Sequence, residues 1–126
     1  MPVAAKVILA LGAAFAAAAV LLGAFGAHAL KPRLAADALA VYQTAVQYHF
    51  WHALGLLAVG LAALHLAGSV WLLAAGWLLA AGIVLFSGSL YLLALSGQKW
   101  FGAVTPFGGG AFILGWIAFA VGVLRG

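Results

Sequence analysis

Long apolar runs separated by short polar breaks divide the chain into four segments. They run from about Val3 to Ala24, from about Val46 to Leu66, from about Val70 to Leu95 and from about Phe107 to Leu124. A helix needs about 20 apolar residues to cross a bilayer, so each run predicts one span. The first break, His28-Ala-Leu-Lys-Pro-Arg33, holds Pro32, which ends any helix. The second is Ala67-Gly68-Ser69, and the third runs from Ser96 through Gly102 to Thr105-Pro106. Between Pro32 and the second run lies a stretch of good helix formers, Leu34 to Ala45, with no breaker. It predicts a short interfacial helix, the alternative being an N-terminal extension of the second span. The expected fold is all-α: a single integral membrane domain over residues 1–126, a four-helix bundle with that short helix between spans one and two.

Composition sharpens this reading. Charged residues make up 5% of the chain, against roughly 25% in an ordinary soluble domain. The hydrophobic set is 69% and mean hydropathy is +1.30. A water-soluble fold this short lacks the polar groups to cover its surface. That excludes a soluble enzyme and a disordered tail. With no cysteine, disulfides and thiolate metal sites are excluded too.

The net charge of +4 rests on five cations and a single acid, Asp37. No basic run is present, so the charge marks membrane anchoring and topology, not nucleic acid. Asp37 complements the helix dipole at the start of its segment; pairing with Lys31 or Arg33 is the alternative. Lys6, the first apolar run and Ala27-His28-Ala29 also suggest a signal peptide, but the run is longer than a usual apolar signal core. The segment is therefore expected to stay as a span. Four spans put both termini and the Gly68 turn on one side, here the terminal face. The opposite loop face carries Lys31, Arg33 and Lys99, a slight lean toward a cytoplasmic loop face.

Lipid tails are as apolar as leucine, so helices in a bilayer associate where small residues let them approach. In the fourth run Ala111, Gly115, Ala118 and Gly122 form such a stripe beside Phe112, Trp116 and Phe119. The first run offers Gly12, Ala16, Ala19 and Gly23. Packing within the bundle is the leading expectation; a homo-oligomer or a docked membrane-complex partner is the alternative.

Hydrogen-bonding side chains are costly in a membrane and face protein or water. Here they gather toward the loop face. At 1.5 Å per residue, Ser89 lies roughly 10 Å inward of Ser96, and His52 about 6 Å beyond Tyr48. His28, Tyr48, His49, His52, Ser87, Ser89, Tyr91 and Thr105 are the candidate ligand-binding residues. Thr44, Tyr48 and His52 recur every four residues and share a helix face. Three chemistries compete for this layer. A pocket for a lipid headgroup, small ligand or ion leads. His49 and His52 at i, i+3, approached by His28, make a weaker metal site. A bis-histidine haem on His28 and His52 is weaker still, and no cofactor is expected. The plain alternative is that these groups are interfacial anchors and satisfy helix backbones, the reading preferred for His65. Thr105 is expected to cap the fourth helix, with Pro106 in its first turn.

Four motifs sharpen the pattern: Gly23-Ala-Phe-Gly-Ala-His-Ala-Leu30, Tyr48-His49-x-x-His52-Ala-Leu, Leu85-Phe-Ser-Gly-Ser-Leu-Tyr91, and Thr105-Pro-Phe-Gly-Gly109 followed by Gly115-Trp116. Across nearly the whole chain the sequence resembles a family of small bacterial membrane proteins of unknown function that includes YgdD and YwdK and is related to eukaryotic transmembrane protein 256. The resemblance implies a four-span protein of the bacterial inner membrane and supplies no activity. No nucleophile, base and orienting group are recognisable together. The expected role is non-enzymatic, with an accessory or assembly subunit as the alternative and a histidine metal or redox site behind it.

Overall fold

The computed structural model describes residues 1–126. It is helical throughout, with no strand. Helix α1 (Val3–Phe25) continues through a π-helical turn, Gly26–Leu30. Helix α2 spans Ala36–His65. Helix α3 (Val70–Gly82) passes through a second π turn, Ile83–Ser87, into α4 (Gly88–Ser96). A short 3₁₀ turn, Lys99–Ala103, leads to α5 (Thr105–Arg125).

The separate interfacial helix expected before the second span is not there. Residues 36–45 are the first turns of the 30-residue α2. Nothing from Ala36 to His65 breaks a helix, and Asp37 supports its start by accepting the Ala38 N–H at 2.9 Å. Lys31 and Arg33 pair with no carboxylate; Asp37 turns to its own helix instead. The other connections end on left-handed glycines, Gly68 at φ 82° between α2 and α3, and Gly97 at φ 72° after α4.

The helices form two hairpins. Helix α1 lies along α2, the α3–α4 rod lies along α5, and α2 holds the hairpins together. Its buried residues, Tyr42, Ala45, His49, His52, Leu56, Val59 and Ala63, recur every three or four positions and mark the inward face. Of these, Leu56, Val59 and Ala63 meet Ile8 of α1, Leu72 and Leu79 of α3, and Phe112 of α5 in the main apolar core, while Tyr42 joins Leu30 and Ala94 in a smaller one. Small residues set the helix spacing. A Cβ at Gly12 would come within 2.9 Å of Leu57, one at Gly115 within 2.8 Å of Leu79, and one at Gly122 within 2.9 Å of Leu72. Ala118 is buried beside them, and Ala111 is half-buried.

Three stretches are long and apolar enough to cross a membrane: Val3–Leu30, Val70–Ser96 and Lys99–Arg125. Helix α2 is as long but carries Gln43, Gln47, Tyr48 and His49 in its first half and His52 just beyond. Its inward face sets His49 and His52 against protein, where hydrogen-bond partners are available, while Gln43 and Gln47 are exposed on the outer side.

Candidate functional site: a polar lock beside an outer groove

Four interhelical hydrogen bonds cross the loop-face half of the bundle. Tyr42 of α2 donates its hydroxyl to the Leu22 carbonyl of α1 at 2.6 Å. His49 Nδ1 and the Tyr91 hydroxyl of α4 share a bond at 2.9 Å. Ser87, fully buried in the second π turn, donates to the Ala45 carbonyl of α2 at 2.8 Å. Ser89 and Thr105 join α4 to the start of α5 at 2.6 Å. Ser89 also donates to the Phe86 carbonyl at 2.9 Å. A carbonyl only accepts, so the Ser89 proton is committed there and Thr105 donates to Ser89. Thr105 makes no cap for α5, because the helix already includes it and the cap position falls to Val104, which has no side-chain acceptor; Pro106 in the first turn removes one orphan N–H instead.

Glycines admit this arrangement. Gly26 leaves room for the Tyr42 ring, which a Cβ there would overlap. A Cβ on Gly108 would overlap the backbone nitrogen of Phe86, so α5 crosses the second π turn backbone to backbone. The Thr105-Pro-Phe-Gly108 and Phe86-Ser-Gly-Ser89 motifs are two sides of one joint.

The remaining candidates separate. His52 donates its Nδ1–H to the Tyr48 carbonyl of its own helix at 2.7 Å and stacks on Phe112 with ring centroids 3.5 Å apart. Thr44 likewise bonds its own helix, at Ala40. The face shared by Thr44, Tyr48 and His52 thus forms no continuous hydrogen-bonded chain. Tyr48 packs its ring against Phe86 at 4.5 Å. His28 is exposed in the first π turn. No three histidine or carboxylate side chains are gathered where one ion could be held. The metal site on His28, His49 and His52 is not assembled, because His49 turns to Tyr91, His52 to its own backbone and His28 outward.

His49 is 4% exposed, and its Nε2 has no hydrogen-bond partner. The Phe15 and His49 rings pack in a T-shaped arrangement, 5.9 Å between centroids.

None of the eight candidate side chains lines a main cavity. The space lies next to them, on the outer side of α1 and α2. A cavity of about 240 Å³ is lined by Gly23, Gly26, Ala27, Tyr42, Gln43, Val46 and Gln47. Sharing Gly23, Val46 and Gln47 with it, a second cavity of about 440 Å³ continues along Ala19, Val20, Ala24, Phe50 and Trp51. Together they form one groove, polar at the loop-face end and apolar further in. Its inner wall is Tyr42, which contacts Tyr91 at 5.2 Å between ring centroids. Gln43 and Gln47 belong to the loop-face polar layer of the sequence but, like Tyr42, were not among the candidate ligand-binding residues. The signal was present in the i, i+4 pair Gln43 and Gln47, facing the small residues Gly23 and Ala27 at the same spacing.

Residues 22–109 match the family described as "Protein of unknown function (DUF423)". The chain belongs to this family. It is 50% identical to the UPF0382 membrane protein YwdK of Bacillus subtilis, over 95% of this chain and 98% of that protein. It is 47% identical to a UPF0382 membrane protein of Staphylococcus saprophyticus, over 95% and 98%. The UPF0382 inner membrane protein YgdD of Escherichia coli is 38% identical, over 84% of this chain and 80% of that protein. No solved structure matches. With three membrane-length helices and membrane-protein relatives, the chain is a multi-pass membrane protein. Its motif residues His49, Ser87, Ser89, Tyr91, Thr105 and Gly108 lie in the interhelical joints described above.

Proposed function

We propose that this protein is a non-enzymatic, four-span protein of the bacterial inner membrane that holds one lipid molecule in the groove between α1 and α2. The observation that carries this reading is the groove's polarity gradient. Tyr42, Gln43 and Gln47 stand at one end, and Val20, Ala24, Phe50 and Trp51 at the other. Such a surface suits a molecule with a polar head and an apolar chain. From Gln43 to Trp51 is eight residues, about 12 Å of helix, close to the thickness of one leaflet's hydrocarbon, about 15 Å. The hydrogen-bonded layer behind the groove holds its wall in place. Transport through a single copy is disfavoured, because Leu56, Val59, Leu72, Ala75 and Leu79 fill the bundle axis.

Native mass spectrometry from mild detergent tests the reading. One retained lipid per chain is expected, lost in Ala24→Phe, which places a ring in the groove from an exposed position. A wild-type chain that carries no lipid overturns the reading.

A further inference from the structure

The groove does not end at its polar mouth. Gly23, Ala27 and Lys31 follow each other at four-residue spacing on α1 and its π turn, and so continue along one side of the helix. Two of them line the groove, and Lys31 stands one turn beyond it. Arg33 follows in the same connection. Both cations are exposed, and neither pairs with a carboxylate. The only acid in the chain, Asp37, accepts from the N–H of Ala38. Lys99, in the other loop-face connection, adds a third cation to this side, so three cations stand against one acid. The amides of Gln43 and Gln47, both exposed, lie between the cations and the apolar floor.

Resting on the lipid-groove reading, we infer that the lipid is an anionic phospholipid of the loop-face leaflet. Its chain lies along Ala24, Phe50 and Trp51, its ester region meets Gln43 and Gln47, and its charged headgroup faces Lys31 and Arg33. An anion is favoured because the mouth presents unpaired positive charge and amide donors. A zwitterionic headgroup would bring an ammonium to the same cations.

The test is competition between phosphatidylglycerol and phosphatidylcholine of matched chains, added in equal amounts to the full-length protein in mild detergent and read by native mass spectrometry. Phosphatidylglycerol is expected to be retained in preference, with each cation contributing about fivefold. The double variant Lys31→Gln with Arg33→Gln changes only exposed side chains; it should keep the bound lipid and lose the preference. Ala24→Phe should lose both lipids. Equal retention of the two lipids by the wild type overturns the anionic assignment and leaves the groove reading standing. Retention of neither overturns both. A preference that survives the double variant overturns the roles given to Lys31 and Arg33.

Discussion

Gly108 of α5 lies directly against the backbone of Phe86, so that a single added methyl would overlap the Phe86 nitrogen and Cα. Backbone cannot rotate away as a side chain can, and the π turn at Ile83–Ser87 is held by the Ser87 bond to Ala45 on its other side. Gly108→Ala is therefore expected to destabilise the bundle by roughly 1–3 kcal/mol, the usual cost of overpacking. Gly110→Ala is the matched control, since a Cβ there meets nothing within 4 Å; it should be neutral or gain up to about 1 kcal/mol from helix propensity. Melting temperatures in detergent decide it. Equal behaviour of the two variants would show that α5 does not sit against the π turn.

The Ser89–Thr105 bond should couple the two residues measurably. Thr105→Val removes the donor, and Ser89→Ala removes its acceptor together with the Ser89 bond to the Phe86 carbonyl. A double-mutant cycle is expected to give a coupling of about 0.6 kcal/mol, with about 1.7 as the upper end for such bonds in membranes. A coupling of zero would mean that the two hydroxyls do not bond.

The helices themselves were legible in the sequence, because a membrane span needs little more than an unbroken apolar run. The start of α2 was not settled, because Leu34 to Ala45 has no breaker and no membrane-length hydropathy. Separate helix and extension then look alike in sequence. Both π turns escaped notice, since a π turn has no residue signature, and the second depends on Gly108 reaching it from another helix. The depth of the polar residues followed from the rise per residue. Whether they enclose a space did not, because each side chain chooses between a neighbouring helix and its own backbone. His49 found Tyr91, whereas His52 bonded the Tyr48 carbonyl one turn back. The groove lies along small residues of α1: a Cβ on Gly23 would come within 3.3 Å of Val46, and Gly23 without one leaves the groove open beside it.

Topology offers a third test. The chain has no cysteine, so single cysteines label without background. Gln98 and Gly68 are both exposed, in turns at opposite ends of the Val70–Ser96 rod. Gln98→Cys and Gly68→Cys are expected to react with a membrane-impermeant maleimide from opposite sides. Labelling from the same side would overturn the four-span arrangement.

His49 and Tyr91 are unequal partners, and that inequality is measurable. His49 is 4% exposed, while Tyr91 is half-buried. With Nε2 of His49 already unpartnered, Tyr91→Phe would leave both ring nitrogens unmet in the bundle. Leaving a buried polar group unsatisfied costs about 1–3 kcal/mol. His49→Leu has the reverse effect: it removes the orphaned nitrogen altogether and leaves only a half-buried hydroxyl without its partner. Tyr91→Phe is therefore expected to lower the melting temperature in detergent more than His49→Leu, although it deletes one oxygen and keeps the ring. In the double variant the penalty of Tyr91→Phe should largely disappear, since no imidazole remains to be stranded. If His49→Leu proves the more damaging single change and the effects add, the imidazole is satisfied by something other than Tyr91, and the bond between α2 and α4 does not stabilise the bundle.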